Sequence, residues 1–183
     1  MKTGSIHPRW LSSMENKKIP AKLYLCATPI GNLEDITLRC LRILRGAAAV
    51  YCEDTRNTLK LMNHFEIKKT LISCHEHNEE QRANEIAERV RGGEAIAFVS
   101  DAGMPGVSDP GSRLVRFFVE NNLPFEVLPG ANAVLTAWVM SGLPTESLYF
   151  CGFIPRSGAE RSEAVERIKN SCLLYTSDAA DEL

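Results

Sequence analysis

The chain has 183 residues, enough for one generous domain and part of another, and its 44% hydrophobic and 24% charged content is that of a folded globular protein. A net charge of −2 gives no global electrostatic pull toward nucleic acid. No apolar run is long enough to span a bilayer, which excludes a membrane-spanning class. The opening "MKTGSIHPRWLSSMENKKIP" has no apolar core followed by a small-residue cleavage site, so no secretory signal is expected, and residues 1–20 read as a flexible extension. "KLYLCA" (22–27) then reads as a buried strand and "TPIGNLED" as a loop. Asp35 is expected to cap a helix "ITLRCLRILR" with Ile36, Leu38, Leu41, Ile43 and Leu44 turned inward, ended by Gly46. "AAAVYC" (strand), "TRNTLKLMNHF" (helix), "TLISC" (strand) and "NEEQRANEIAERVR" (helix) follow. "EAIAFVS" (strand), "PGSRLVRFFVENN" (helix) and "PFEVL" (strand) complete a βαβαβαβαβ series. Near-continuous apolar strands alternating with amphipathic helices predict a five-stranded parallel sheet with helices on both faces.

The unusual residues fall in one class of connection. "TPIGN", "EDTR" (53–56), "HEHN" (75–78), "DAGMPGVSDPG" and "LPGAN" (128–132) follow strands one to five, whereas the opposite connections, "GA", "EIKK", "GGE" and "NNLP", are plain turns. Ligands of open α/β sheets bind outside the carboxyl ends of the strands, so this clustering marks one functional rim. Glycine and proline at a strand's end let backbone groups approach a ligand closely. The same residues also have structural readings: Asp109 can cap the next helix with Pro110 at its first position, and Asp54 or Thr55 can cap the helix after "EDTR". His75 and His77 share one side of an extended segment without an evident third ligand, so no metal site is expected. Neither a GxGxxG nor a GxxxxGKS run occurs. The six cysteines, Cys26, Cys40, Cys52, Cys74, Cys151 and Cys172, lack CxxC spacing and are expected to be buried reduced thiols, which suits a cytoplasmic protein.

Taken together and in order, "TPIGNLEDITLR", "CEDTRNTLKLMNHF", "SCHEHNE", "VSDAGMPGVSDPG", "LPGANAV" and "GFIPR" closely resemble the 16S ribosomal RNA cytidine 2′-O-methyltransferase family of the tetrapyrrole methylase superfamily, over residues 22–169. The resemblance implies methyl transfer from S-adenosylmethionine to a ribose 2′-hydroxyl of 16S rRNA in the small ribosomal subunit, by a two-domain homodimer with no membrane partner. It further implies that Pro29, Asp101, Ala102, Gly103, Pro105 and Val107 wall the cofactor site. Met104 and Asn132 stand where the family often has other residues, so side-chain contacts there do not carry over. Methyl transfer needs positioning and a route for the hydroxyl proton. Asp54, His75 and Asp101 are the rim residues able to accept it, and the carboxylates can equally orient loops or hold hydroxyls. Arg56, then Arg156 and Arg161, are the candidate phosphate contacts, the last two also readable as a solvated helix face.

These features divide the chain into an N-terminal α/β domain (21–130), the start of an incomplete second α/β domain (131–170) and a tail (171–183). In the second, "PGANAVLTAWVMSGLP" reads as a helix, "SLYFCGFIP" as a strand and "GAERSEAVERIKN" as a helix. The tail "SCLLYTSDAADEL" resembles a translated adapter scar and is expected to be non-native. Two alternatives stand beside the main reading: another methylase of the superfamily, acting on a tetrapyrrole or a modified protein residue, or a fragment that binds cofactor without catalysis.

Overall fold

The computed structural model describes residues 18–75, 77–143 and 147–170. Most of the expected 1–20 extension, the 171–183 tail and Cys172 lie outside the described residues. The chain divides into two compact units, residues 1–133 and 134–183.

In the first unit, β1 (Leu23–Cys26), β2 (Ala49–Cys52), β3 (Leu71–Ser73), β4 (Ile96–Val99) and β5 (Phe125–Leu128) form one sheet in the order β3-β2-β4-β1-β5. Every pairing is parallel. The helices between them are α1 (Leu38–Gly46), α2 (Thr55–His64), α3 (Glu79–Arg91) and α4 (Ser112–Glu120). From β1 to β3 the chain steps toward one edge of the sheet, and from β3 to β5 it returns. Right-handed crossovers therefore send α1 and α2 to one face and α3 and α4 to the other.

The two cores record this division. Tyr24, Cys26, Val50, Cys52, Ala97 and Val99 join Leu41, Ile43, Leu44 and Met62 on the first face. Their strand neighbours Leu23, Leu25, Ala49, Tyr51, Ile96 and Phe98 join Ile86, Val90, Leu114 and Phe118 on the second. With both faces covered, β1, β2 and β4 are buried along their whole length, which is why they read as unbroken apolar runs.

Helix starts differ from expectation at two places. Asp35 does not cap α1. It ends a 3-10 turn, Leu33–Asp35, that Asn32 caps by accepting from Glu34 N at 3.0 Å, and Thr37 Oγ1 takes the cap of α1 from Cys40 N at 3.0 Å. The later start leaves Leu38 on the solvent side, 47% exposed, while Ile36 is buried ahead of the helix. Asp109 and Pro110 do not start α4. The cap is Gly111, at φ +121°, and the N-terminus is closed from another element: Glu79 Oε1 accepts from Gly111 N at 3.0 Å and from Leu114 N at 2.7 Å. A side chain at 111 would bring its Cβ to 3.0 Å from Phe98 Cε1, so only glycine lets this backbone close on the sheet.

The second unit contains α5 (Ala133–Ser141), which begins at the unit boundary, and α6 (Ala159–Asn170). The strand expected over "SLYFCGFIP" is absent from described residues 147–155. An extended segment becomes a strand only by pairing, and none of the second unit's described residues is a strand. Phe153 is accordingly 79% exposed, and Cys151 is exposed while Cys26, Cys40, Cys52 and Cys74 are buried, which corrects the expectation for that cysteine.

Glu79 is 2% exposed and joins α3 to the start of α4. Glu79→Ala should lower the unfolding free energy by about 3–6 kcal/mol, since each of the two bonds to its carboxylate contributes about 1.5–3 kcal/mol. Urea denaturation followed by circular dichroism checks this.

Candidate functional site

In the strand order β3-β2-β4-β1, the loops leaving successive neighbours turn to alternate faces of the sheet. A crevice therefore opens at the carboxyl edge beside β4 on either face. The segment Ser100–Gly111 after β4 forms the divide.

On the α1/α2 face a crevice of about 200 Å³ is lined by Thr28, Pro29, Asn57, Thr58, Ser100 and Asp101, among others. Its floor is a backbone bridge in which Thr28 N donates to Gly103 O at 2.9 Å and Gly103 N donates to Thr28 O at 3.0 Å. The buried Thr28 hydroxyl donates to Ser100 O at 3.3 Å. Gly103 is at φ +80°, and a Cβ there would stand 3.3 Å from Ile30 Cγ2. Gly130 is tighter still, since its Cβ would meet Ala27 Cβ at 2.7 Å. The close approach at Gly130 and the left-handed backbone at Gly103 thus both favour glycine where these loops meet.

Asp101 is fixed from three directions. Asp54 N donates to its Oδ1 at 3.2 Å, Asn57 Nδ2 to its Oδ2 at 2.9 Å, and its own N–H donates to Glu53 Oε2 at 3.3 Å. Asp54 caps α2 by accepting from Arg56 N at 2.8 Å and grips the Arg56 guanidinium through Nε at 3.1 Å and a terminal nitrogen at 2.7 Å. These bonds hold the Asp54 carboxyl well below the usual range, at about 2. A carboxylate stabilised in this way is a weak proton acceptor.

On the α3/α4 face a larger cleft, about 460 Å³, is lined by Glu53, His75, His77, Glu79, Ser108 and Asp109 with the first residues of α4. Burial, then the neighbouring Asp101, Asp109 and Asp54, push the Glu53 carboxyl up, although the Asp101 N–H opposes the shift. Burial likewise raises Asp109. His75 Nδ1 is buried and has no hydrogen-bond partner among the described residues.

Of the residues expected to wall a cofactor, Pro29 and Asp101 line the smaller crevice, and Gly103 forms its bridged floor. Pro105 is buried, whereas Ala102 and Val107 are exposed on the same loop. Asp54 and Asp101 are hydrogen-bonded to one another's segment, and His75 lies across β4 in the other cleft. Arg156 and Arg161 are exposed in the second unit, where Arg161 donates to Pro155 O at 3.2 Å. Glu53, Asn57 and Glu79 were not distinguished by sequence reasoning. Glu53 sits inside the quoted "EDTR", but nothing in a linear pattern assigns its oxygen to the Asp101 amide. Among the described residues no group of three or more His, Cys, Asp or Glu is placed to hold a metal ion, and no helix is long and apolar enough to cross a membrane.

A doubly wound parallel sheet with glycine-pinned loops at its switch point defines an α/β domain of the class whose ligand crevice lies at the carboxyl edge. The chain belongs to the tetrapyrrole (corrin/porphyrin) methylases, whose family profile matches residues 22–182, and within them to the ribosomal RNA small subunit methyltransferase I group. It is 48% identical over 157 residues to the ribosomal RNA small subunit methyltransferase I of Halalkalibacterium halodurans, covering 86% of this chain and 54% of that protein. It is 45% identical to the Hydrogenobaculum protein of the same name, covering 85% and 69%. The chain thus spans about half the length of most of the curated relatives it matches. Among solved structures it is similar to the uroporphyrin-III C-methyltransferase of Thermus thermophilus complexed with S-adenosylhomocysteine, with TM-score 0.50, 26% identity and coverage of 67% of this chain and 52% of that one.

The electrostatic account of Asp54 has a direct check. Its pKa is depressed on folding, so its contribution to stability is present above the unfolded value, about 3.9, and is lost as pH falls toward about 2. In Arg56→Ala the Asp54 carboxyl should titrate nearer about 3.9, as read by carboxyl carbon NMR.

Proposed function

We propose that this chain carries the methyl-donor half of an S-adenosylmethionine-dependent methyltransferase that modifies a cytidine ribose 2′-hydroxyl in 16S rRNA of the small ribosomal subunit. The observation that carries the reading is the bridged crevice between the β1 and β4 loops, in a chain whose curated relatives are named as small-subunit RNA methyltransferases. The names of these relatives do not favour the alternative of a corrinoid or modified-protein methylase. A homodimer and a cytoplasmic setting belong to the same proposal.

The residues suit the donor. Gly103 leaves its backbone uncovered by a side chain, and the Asp101 carboxylate on the crevice wall suits a ligand that carries a sulfonium cation and ribose hydroxyls. When bound, S-adenosylmethionine supplies an electrophilic methyl group. The chain's own work is then positional. Pro29, Ala102, Gly103, Pro105 and Val107 present the donor, and Asp101, fixed by Asp54 N and Asn57, accepts from its hydroxyls in one orientation. Asp54 serves the start of α2, so proton acceptance falls to Asp101 or to groups across β4 such as His75. The Arg56 side chain, 86% exposed, meets Asp54 on one edge of its guanidinium and turns the other outward, where an RNA phosphate can pair with it. Arg156 and Arg161, exposed in the second unit, are further candidate phosphate contacts.

Two measurements test this reading. Gly103→Val should weaken S-adenosylmethionine binding by about ten-fold or more in calorimetry, because a left-handed backbone costs a side-chain-bearing residue about 1–2 kcal/mol and the Cβ crowds Ile30. An unchanged affinity would remove this crevice as the donor site. Arg56→Ala should weaken RNA binding and reduce the slope of log affinity against log salt by about 1. A loss that is the same at all salt concentrations would instead mark Arg56 as structural.

A further inference from the structure

The cleft on the α3/α4 face lies outside the donor crevice and is the larger of the two. Glu53, His75 and Asp109 bring acceptors to it. Glu79, which also lines the cleft, has its Oε1 engaged by Gly111 N and Leu114 N. Glu53 uses Oε2 on the Asp101 amide. The His75 main-chain N–H donates to Asn78 Oδ1 at 2.8 Å, while its ring Nδ1 is buried without a partner among the described residues. A ring nitrogen shut away from water lacks a partner that a ligand can bring.

The same lining argues against other occupants. Arg113 also lines the cleft, but a phosphate there would meet Glu53 and Asp109 as well, and like charge disfavours it. A metal ion lacks a suitable set of three His, Cys, Asp or Glu among the described residues. What fits is an uncharged ring that presents N–H donors. Its place relative to the smaller crevice is fixed by one peptide: the Asp101 N–H reaches Glu53 in the larger cleft, while the Asp101 side chain lines the smaller. Two ligands, one on each side of the β4 loop, would lie next to each other.

We propose that this larger cleft seats the base of the acceptor nucleoside, with Glu53 and His75 Nδ1 accepting from an exocyclic amino group. The proposal rests on the reading that the chain acts on an RNA nucleoside. It assigns to Glu53 and His75 the choice of an amino-bearing pyrimidine over one with a carbonyl at the same position. A site built from acceptors rejects the carbonyl analogue strongly, because its buried groups would then face another acceptor.

The test uses the 183-residue chain and nitrogen-15 NMR of its imidazoles, titrated with cytidine and separately with uridine. Cytidine should shift the ring nitrogens of His75 and leave those of His64, at the end of α2, unmoved. Uridine should bind about ten-fold more weakly. In Glu53→Gln, whose amide can donate to a carbonyl, the preference should shrink to about three-fold or less. The wild-type comparison decides the matter even if that variant folds poorly. No movement of His75 at the solubility limit of cytidine, or equal movement with both nucleosides, overturns the proposal. S-adenosylmethionine titrated into the same sample reads the underlying function separately. Donor binding without a cytidine response sinks the base site alone, and a cytidine response without donor binding supports the base site while removing the methyl-transfer reading.

Discussion

The handedness of the strand crossovers governs nearly everything at the functional edge of this protein. A right-twisted strand feeding a helix packs back onto its sheet in one sense only. Because the chain walks out from β1 to β3 and then returns over β2 and β1 to β4 and β5, that constraint assigns two helices to each face. It also makes β2 and β1, the neighbours of β4, send their loops to the face opposite its own. The divergence opens crevices at the carboxyl edge, and the buried strands beneath hold their walls in place.

On this scaffold, polar side chains act mainly by fixing backbone. Glu79 joins α3 to the start of α4, and in doing so sets where the β4 loop must end. Thr28 and Gly103 exchange two main-chain bonds at a backbone angle that strains any residue with a side chain at 103. Asp101 receives the first amide of the β2 loop and the side chain of Asn57 from α2. Burial raises Glu53 and Asp109 while Arg56 depresses Asp54, so carboxyl groups a few residues apart are left with different proton affinities. Such divergence separates groups that hold structure from groups free to meet a ligand.

The rim was legible because its residue types are unusual: "DAGMPG" and "LPGAN" combine glycine and proline where neither strand nor helix would keep them. Asp54 was readable as a helix cap because capping is a local property, settled within two residues. Asp109 misled for the complementary reason. The sequence "SDPGSRL" carries a complete local start signal, yet a carboxylate from 35 residues away caps Leu114 and the helix begins later, at Ser112. The strand expected around Phe150 and Phe153 failed similarly, since apolar alternation states a preference that only a pairing partner can realise.

What the amino-acid sequence determined by itself was therefore everything that depends on near neighbours and on periodicity: the alternation of strands and helices, the buried parallel sheet, the loops that gather at its carboxyl edge and the family to which they point. The tertiary structure alone decided the strand order, the division of the edge into two clefts by the β4 loop, and the partners of Glu53, Glu79 and Asp101. Those contacts join residues 32 to 48 positions apart. A bond across such a separation follows from how helices cross over a sheet, and no local spacing encodes it.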